Sequence, residues 1–486
     1  MSAATASHEL VSELIIGDQV LAAGSADPLP HYYAATGEVN GQAAMAGTDQ
    51  VEAAIAAAKA ALPVWEALGP VERRERLRRL ADVIERWGDR FESISSAETG
   101  IPRQGFIWRL RLSCEWIRTY AGYADKVHGD ITASSDDGTI EYVRREPYGV
   151  VGIIITWNSP LLSLCMKIPA ALAAGNTVVV KPSELTPFTP TLFGKACLEA
   201  GIPAGVVNIV SGGAEAGEYI TTHRDVEKIS FTGGLRTAAA MMRSGAALIK
   251  PFCFELGGKS AYMVFPDADL DLAATLVSKE MSNAGQSCKF GSRLFVHDAV
   301  YTAFRDRLLP KIAAVRVGDP EDEHTTMGPL ITSAAQQRVL SFIENARDSG
   351  YGTLALGGGK PSVEARFADG YFVEPTIFED VEPGSPLGQD EIFGPVFGMI
   401  RFTDEATMIE QVNATPFGLA NYVHTRDLRT AHRVCAQVKS GTVYVNDANR
   451  RNPGAPFGGF RRSGIGSEGG REGLLEFLRT KTVGIA

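Results

Sequence analysis

The chain of 486 residues has few cysteines, no paired-cysteine motif and no long apolar run. None of its six cysteines belongs to a C-x-x-C pair, which argues against a zinc site of paired cysteines and against a disulfide framework. The longest strongly apolar piece, from Tyr148 to Trp157, is too short to span a bilayer. The N-terminal stretch MSAATASHELVSELII lacks a basic start followed by an apolar run, so we expect no signal peptide and a cytoplasmic location.

Positive charge is also scarce. Lysine and arginine number 47 against 57 aspartates and glutamates, a net charge of −10, which disfavours non-specific binding to nucleic acid or to an anionic membrane. The densest basic run, from Arg73 to Arg79, is interleaved with glutamate and is better explained as a solvated helix face. We therefore expect no nucleic-acid partner, no membrane association and no metal site.

The sequence does contain a regular alternation of strand and helix patterns. Short, β-branched and nearly continuous apolar runs, such as GVVGIII, NTVVVKP, GVVNIVSG and KISFTGG, alternate with helical stretches such as TPTLFGKACLEAG. Continuous apolar strands of this kind are typical of parallel sheets that are buried on both faces. The length exceeds that of one ordinary core, so the pattern predicts an α/β protein with two α/β lobes.

Local signals predict further elements before the first of these runs. Apolar residues recur at helical spacing from Pro70 to a stop at Gly100, and a further helix is expected from Ile107 to Asp125. Two strand-like runs flank Asp136, Asp137 and Gly138, which indicates a β-hairpin.

One cysteine stands out as a candidate nucleophile. Cys288 lies in the stretch NAGQSCKFGSR, where small residues leave room around it and Lys289 adds a positive charge that could favour the thiolate. Glu255 in FELGGKS stands at a strand end as a candidate base, and Asn158 in TWNSP is a candidate oxyanion donor. Taken singly, each has a plainer explanation: a core cysteine, a solvated glutamate and a turn asparagine.

Two glycine-rich stretches fall short of nucleotide-binding motifs. GGKS is not a P-loop, because Cys253 occupies the position of the required first glycine. SGGAEAG follows a strand but lacks the G-x-G-x-x-G spacing, so a plain strand-to-helix turn is at least as good an explanation as a dinucleotide site.

The chain resembles the NAD(P)-dependent aldehyde dehydrogenase superfamily, from about residue 13 to the C-terminus. The resemblance is carried, in order, by the motifs TWNSP, KPSE, GVVNIVSG, SFTGG, FELGGKS, GQSC, EIFGPV, FGLA and PFGGFRRSGIG. It implies the aldehyde dehydrogenase fold: a Rossmann-like cofactor domain, an α/β catalytic domain and a small β extension for oligomerisation. The implied boundaries are 1–127 and 148–256 for the NAD-binding domain, 257–465 for the catalytic domain, and 128–147 with 466–486 for the oligomerisation elements of a homodimer or homotetramer.

The resemblance also assigns roles. Cys288 matches the nucleophile, Glu255 the general base and Asn158 the oxyanion donor, while Lys167 matches a buried lysine that assists proton movement. Lys181 and Glu184 match residues that hold the adenosine ribose, and Glu391 matches the residue that holds the nicotinamide ribose. The full set of implied cofactor-binding residues is Ile154, Ile155, Thr156, Trp157, Lys181, Ser183, Glu184, Gly212, Gly217, Phe231, Thr232, Gly233, Gly234, Leu256, Glu391 and Phe393.

The implied activity is NAD-dependent oxidation of an aldehyde to an acid through a thiohemiacetal and a thioester. Glu255 favours hydrolysis of that thioester over a CoA-acylating reaction, and the retention of Cys288 and Glu255 argues against a catalytically silent relative that acts as a binding protein. NAD is favoured over NADP because the Glu184 carboxylate would repel a 2′-phosphate.

Departures from the family pattern concern the substrate. Ser159, Ser163 and Met166 stand where larger residues are common, which predicts a wide tunnel for a bulky aldehyde that is aromatic, terpenoid or carboxylate-bearing. Arg450 and Arg451 either edge the tunnel mouth or are surface or subunit-contact charges. The predicted substrate-binding residues are Ser159, Ser163, Met166, Ser287, Lys289, Arg450 and Phe457.

Overall fold

The computed structural model describes residues 10–104, 106–132, 138–448 and 452–485. Within them the helices are α1 (Thr48–Ala67), α2 (Gly69–Arg86), α3 (Gly88–Thr99), α4 (Phe106–Tyr123), α5 (Pro160–Ala173), α6 (Phe188–Glu199), α7 (Ala214–Thr222), α8 (Leu235–Gly245), α9 (Leu270–Lys279), α10 (Asp298–Ala313), α11 (Ser333–Asp348), α12 (Pro386–Gln389), α13 (Glu405–Asn413), α14 (Leu428–Gln437) and α15 (Gly470–Leu475). The strands are β1 (Leu14–Ile16), β2 (Gln19–Leu21), β3 (Ala26–Tyr33), β4 (Glu38–Met45), β5 (Ile140–Pro147), β6 (Val150–Ile154), β7 (Thr177–Lys181), β8 (Val207–Ile209), β9 (Lys228–Thr232), β10 (Phe252–Glu255), β11 (Ala261–Val264), β12 (Arg293–His297), β13 (Thr353–Leu356), β14 (Thr376–Glu379), β15 (Val396–Phe402), β16 (Ala420–His424), β17 (Thr442–Val445), β18 (Gly464–Ile465) and β19 (Leu478–Ile485).

The first lobe is built on a sheet with the strand order β18-β10-β9-β6-β7-β8-β1-β2. Its five central strands, β10, β9, β6, β7 and β8, run parallel, and antiparallel strands flank them on both sides. Every residue of β6 and β7 is buried, because helices cover both faces. This is the doubly covered parallel sheet that the continuous apolar runs predicted.

The second lobe has a sheet with the order β13-β14-β15-β12-β11-β16-β17. All neighbouring strands in it are parallel except β13, which pairs antiparallel to β14 at the edge. A separate apolar core packs around this sheet, so each lobe buries its own core. Among the described residues, no helix combines the length and the apolar character that crossing a bilayer requires.

Two antiparallel ribbons accompany the sheets. β3 pairs with β4, and β5 pairs with β19 over eight residues from Leu478 opposite Pro147 to Ile485 opposite Ile140. The β5–β19 ribbon thus joins the two segments assigned to oligomerisation, 128–147 and 466–486. Within 466–486, α15 lies elsewhere and packs against α4 and α5. Strand β18, at the end of the segment 257–465 that was predicted as the catalytic domain, belongs to the sheet of the first lobe. Of the predicted hairpin turn, Asp136 and Asp137 lie outside the described residues.

The stretch predicted as one helix from Pro70 to Gly100 is two helices, α2 and α3, so that prediction was wrong in detail. The chain turns at Trp87, and Gly88 then packs so tightly on α4 that a β-carbon would meet the Leu110 side chain at 2.7 Å. Gly100 ends α3 in the left-handed conformation at φ 75°, and its N–H donates to Ser96. The predicted helix from Ile107 to Asp125 corresponds to α4.

A buried carboxylate joins α3 to α6. Glu98 is 1% exposed and accepts hydrogen bonds from the N–H groups of Phe188 (2.9 Å) and Thr189 (3.2 Å). These are N-terminal donors of α6, which has no side-chain cap of its own, so Glu98 satisfies them from another helix. Burial raises the pKa of Glu98 to about 8, against the opposing effect of these donors.

We expect Glu98→Ala to lower the free energy of unfolding by roughly 2 kcal/mol or more, because it leaves two buried N–H groups without an acceptor. Urea denaturation followed by circular dichroism measures the loss. The control is Glu92→Ala on the same helix, which breaks only the partly exposed ion pair with Arg103 and should cost under about 1 kcal/mol. Equal losses in the two variants would contradict the role given to Glu98.

Candidate active site

Strand register in the first lobe brings several predicted site residues into one row. Ile154 at the end of β6 lies opposite Lys181 of β7 and Phe231 of β9, and Thr232 lies opposite Glu255 at the end of β10. The carboxyl ends of parallel strands meet at one edge of a sheet, which is where ligands bind in open α/β folds. Residues distant in sequence therefore line a single edge.

The Cys288 loop approaches this edge from the second lobe. It connects a short 3₁₀ helix, Glu280–Asn283, to β12. Gln286 anchors the loop: its side-chain oxygen accepts the Ile331 N–H at 3.0 Å, and its amide donates to the Pro329 carbonyl. Cys288 itself is half-buried, so a small molecule can reach its sulfur.

A cavity of about 220 Å³ contains the three predicted catalytic groups Cys288, Glu255 and Asn158. The other residues that line it are Thr156, Trp157, Thr232, Gly233, Gly234, Leu256, Gly257, Glu391 and Phe393. The structure thus brings together a thiol from the second lobe with a carboxylate and an amide from the first. Such a set can supply a nucleophile, a base and a neutral hydrogen-bond donor to one reacting carbonyl.

Asn158 is held by the loop that it faces. Its side-chain Nδ2 donates to the backbone carbonyl of Gln286 at 2.9 Å. Its backbone carbonyl accepts a hydrogen bond from the side-chain amide of Asn283 at 3.2 Å. An asparagine amide has two N–H donors, so one remains after the bond to Gln286. These bonds fix Asn158 beside Cys288 across the boundary between the lobes.

The Glu255 carboxylate has an unusual environment. It is 4% exposed, and neither of its oxygens has a hydrogen-bond partner among the described residues. Burial, followed by the negative charge of Glu468, raises the pKa of Glu255 well above its usual range, and Lys167 opposes this. An unpartnered buried carboxylate that lines a cavity is a candidate proton acceptor.

Lys167 lies behind Glu255 and does not line the cavity itself. It is 1% exposed, forms an ion pair with the buried Glu468, and donates to Ser230 Oγ at 3.0 Å. Burial alone would lower the pKa of Lys167, but the neighbouring acidic groups, Glu468 first among them, together outweigh burial and raise the pKa. Lys167 therefore carries a positive charge next to the carboxylate cluster.

A second and larger cavity, of about 500 Å³, continues along the carboxyl edge and shares Thr156, Trp157, Thr232, Gly233 and Gly234 with the first. Of the predicted cofactor residues, it also contains Ile154, Ile155, Lys181, Ser183, Glu184, Gly217 and Phe231. Helix α8 begins at Leu235, directly after the Gly233–Gly234 turn, so its N-terminal N–H groups face this region. The size, the glycines and the helix end fit a dinucleotide.

Gly212 is the one predicted cofactor residue that the structure places away from both cavities. It packs on α7, where a β-carbon would meet Ala216 at 2.6 Å, and the neighbouring Gly213 lines the larger cavity instead. Sequence reasoning missed the α7 and α8 side chains of this wall: Ala214, Glu218, Arg236, Thr237, Ala240, Met241 and Ser244. The only signal for them was the position of two helices directly after glycine-rich turns.

Glu391 reaches the smaller cavity from the loop before β15. Its Oε1 accepts the Gly258 N–H at 3.0 Å, and its carboxylate packs so close to Gly257 that a β-carbon there would overlap it. Phe393 has a left-handed backbone at φ 53°, and its ring meets the Trp157 ring edge-on at 5.5 Å. A phenylalanine at positive φ is strained, so the surrounding structure holds this ring in place.

The predicted substrate residues are only partly brought together. Met166 and Phe457 line a third cavity of about 80 Å³ with Trp116, Tyr444 and others, whereas Ser159 lines a smaller crevice beside Leu161. Ser163, Ser287 and Lys289 line none of these cavities. Lys289 was predicted to face the substrate, but its side chain is 3% exposed and points to the Ala448 carbonyl at 3.2 Å. Arg450 and Arg451 lie outside the described residues.

Known proteins that are similar to this chain are aldehyde dehydrogenases. The aldehyde dehydrogenase family model matches residues 21–483. A betaine aldehyde dehydrogenase of Brucella anthropi is 38% identical over 458 residues, which are 94% of this chain and 93% of that protein. An aldehyde dehydrogenase from Bacillus cereus, solved as an NAD⁺ complex, is 36% identical, with a TM-score of 0.95, and the match covers 100% of this chain and 99% of that one.

A solved NADP-dependent enzyme of E. coli is also similar, at 34% identity and a TM-score of 0.95, over 99% of each chain. Structural neighbours thus include both NAD and NADP proteins. The match of the family model over nearly the whole length, with relatives well above 30% identity, determines the family. The chain belongs to the aldehyde dehydrogenase family, has its fold, and is an oxidoreductase that acts on aldehydes with a nicotinamide dinucleotide.

Proposed function

We propose that this enzyme oxidises a bulky aldehyde to the carboxylic acid with NAD, through a thioester on Cys288 that Glu255 helps to hydrolyse. The observation that carries the proposal is the single cavity that contains Cys288, Asn158 and Glu255. That cavity shares five lining residues with the larger one, so an extended dinucleotide in the larger cavity would present one end to the reacting atoms.

In the first step the Cys288 thiolate attacks the aldehyde carbon and forms a carbon–sulfur bond. The carbonyl oxygen becomes an oxyanion, which the remaining N–H of Asn158 and the Cys288 N–H stabilise. Bound NAD supplies the acceptor for the hydride that leaves the thiohemiacetal carbon. Loss of this hydride converts the thiohemiacetal to a thioester on Cys288.

In the second step Glu255 removes a proton from a water molecule that attacks the thioester. The carbon–sulfur bond breaks, the acid leaves, and Cys288 returns as the thiolate. The raised pKa of Glu255 makes it a stronger base than an exposed glutamate, and the positive charge of Lys167 behind it favours the ionised form that must accept the proton. This arrangement supports hydrolysis over a CoA-acylating reaction, which has no need of such a base.

The lining of the third cavity supports a largely apolar substrate. Three of the residues that line it, Trp116, Tyr444 and Phe457, are aromatic, and Met166 adds an apolar thioether. Ser159 and Ser163 add little bulk near Asn158. With Lys289 directed to Ala448, the described residues favour an aromatic or terpenoid aldehyde over a carboxylate-bearing one.

The β5–β19 ribbon supports assembly into a homodimer or homotetramer. Most residues of β19 are exposed, and within the described part of the chain no strand pairs with its outer edge. An open strand edge of this length tends to pair or to be covered. A second copy of the chain is the partner that the family resemblance implies.

The central test is Glu255→Gln, which keeps the shape of the side chain and removes the base. With an aromatic aldehyde we expect a rapid burst of about one NADH per active site and then a steady rate reduced about 100-fold or more, because the thioester forms but its hydrolysis is slow. Stopped-flow absorbance measures both phases. Cys288→Ala is the control and should show neither. A wild-type-like steady rate in Glu255→Gln, or a burst in Cys288→Ala, would contradict the mechanism.

Glu391 is proposed to hold the nicotinamide ribose, and Gly257→Ala tests it. The added methyl group would displace the Glu391 carboxylate, so we expect the Kd for NAD to rise about tenfold, the loss of one charged hydrogen bond. Isothermal titration calorimetry measures this without turnover. The control is Gly384→Ala, which lies outside both cavities and where a β-carbon also meets nothing within 4 Å. An unchanged Kd in Gly257→Ala would remove Glu391 from the cofactor site.

The preference for NAD is proposed to rest on Glu184, which lines the larger cavity with its carboxylate 3.8 Å from Lys181 Nζ. In Glu184→Gln we expect the ratio of kcat/KM for NADP to that for NAD to rise about tenfold, because a repulsive charge worth roughly 1.4 kcal/mol is lost. Steady-state kinetics with both cofactors gives the ratio. The control is Glu218→Gln in the same cavity. If this ratio rose only in Glu218→Gln, the preference for NAD would be assigned to α7 instead.

A further inference from the structure

The larger cavity is lined by four charged side chains, those of Lys181, Glu184, Glu218 and Arg236. Lys181 donates to the Pro182 carbonyl at 3.0 Å, and its Nζ lies 3.8 Å from the Glu184 carboxylate, so protein groups already compensate this cation. The other cation, Arg236, forms neither an ion pair nor a side-chain hydrogen bond within the part of the chain that the structure describes. Its guanidinium is therefore available to a ligand.

Arg236 stands on the first turn of α8, directly after the Gly233–Gly234 turn. The two glycines line both cavities, whereas Arg236 lines only the larger one. Ala240 and Ser244 follow on the same face of the helix and line the larger cavity further along. Since helical side chains lean towards the N-terminus of their helix, the Arg236 side chain leans towards the junction of the two cavities.

The junction is also where a dinucleotide would place its pyrophosphate. Lys181 and Glu184, which are assigned to the adenosine ribose, line only the larger cavity, and Glu391, which is assigned to the nicotinamide ribose, lines only the smaller one. The pyrophosphate connects these two ribose groups. It must therefore pass the Gly233–Gly234 turn and the first turn of α8.

The negative charge of a pyrophosphate at this place needs a counter-charge. No side chain caps α8, so the N–H groups of its first turn can donate to phosphate oxygens, but a helix end supplies only about half an elementary charge. Glu218 lines the same cavity and adds negative charge. An arginine supplies a full positive charge and two parallel N–H donors that match phosphate oxygens. We propose that Arg236 is a cofactor-binding residue that forms an ion pair with the pyrophosphate of the dinucleotide.

The inference rests on the proposed function, because it concerns the cofactor that the larger cavity would hold. It gives Arg236 a role different from that of Glu184. Glu184 is proposed to discriminate against the 2′-phosphate, which only NADP carries, whereas Arg236 binds the pyrophosphate, which NAD and NADP share. Loss of the Arg236 charge should therefore weaken both cofactors by the same factor.

The experiment compares ligands with and without phosphate groups. Isothermal titration calorimetry measures the Kd values of NAD, NADP, ADP and adenosine for the wild type, for Arg236→Gln, which removes the charge, and for Arg236→Lys, which keeps it. Arg243→Gln is the matched control, because Arg243 is an exposed arginine in the last turn of the same helix and lines neither cavity.

We expect the Kd values of NAD, NADP and ADP to rise about tenfold in Arg236→Gln, the loss of one charged hydrogen-bonding pair. The Kd of adenosine, which has no phosphate, should stay within about twofold. Arg236→Lys should keep most of the affinity for NAD, and Arg243→Gln should bind all four ligands within about twofold of the wild type. In steady-state kinetics, Arg236→Gln should raise KM for NAD without lowering kcat, because the contact is made before and during the reaction alike.

Four results would overturn the inference. An unchanged Kd for NAD in Arg236→Gln would remove the guanidinium from the pyrophosphate. An equal loss for adenosine and ADP would mean a structural role. A loss for NADP alone would place Arg236 at the 2′-phosphate instead. An equal loss in Arg243→Gln would mean a general effect of surface charge and not a contact.

The outcomes separate this inference from the proposed function. A burst of NADH that the wild type shows and Cys288→Ala lacks supports the proposed function, whatever the affinity of Arg236→Gln. A wild type that binds no NAD would overturn both. Because Arg236 is exposed, its substitution should leave the fold intact, and circular dichroism of each variant checks this.

Discussion

The hydrogen bonds between Asn158 and the Cys288 loop are the contacts on which the site depends. Asn158 belongs to the first lobe, and Cys288 belongs to the second, so neither lobe contains a complete site. The bonds from Asn158 to Gln286 and from Asn283 to Asn158 fix the distance between the donor and the nucleophile. Gln286 in turn is tied to the segment around Ile331, so the position of the thiol depends on the packing of the second lobe as well.

The Gly257–Gly258 turn imposes a similar constraint on the other side of the cavity. It follows Glu255 at the end of β10, and it must leave space for the Glu391 carboxylate and for the backbone of the Cys288 loop. A β-carbon at Gly258 would meet the Cys288 carbonyl at 2.6 Å. Glycine is required here because of close approach and not because of backbone conformation, since neither residue has a positive φ.

Much of the fold and of the catalytic set could be predicted from the sequence. Continuous apolar strands imply a parallel sheet, and Glu255 could be placed at a strand end from the sequence pattern, whereas Lys181 and Thr232 were assigned through the family resemblance. The break at Trp87 could not be predicted, because it depends on packing of Gly88 against Leu110 in another helix. The α8 wall of the larger cavity was missed for the same reason: which face of a helix lines a cavity is decided by tertiary packing.

Lys289 shows the limit of reasoning from sequence neighbours. A lysine beside the nucleophile suggests a charge that faces the thiol or the substrate, but the loop geometry sends the side chain to Ala448 and Tyr444. Lys167, by contrast, lies behind Glu255 and is paired with the buried Glu468. Burying an ammonium costs free energy unless hydrogen bonds and opposite charges compensate for it, so the partners that the fold offers decide where such a side chain lies, and its neighbours in sequence do not.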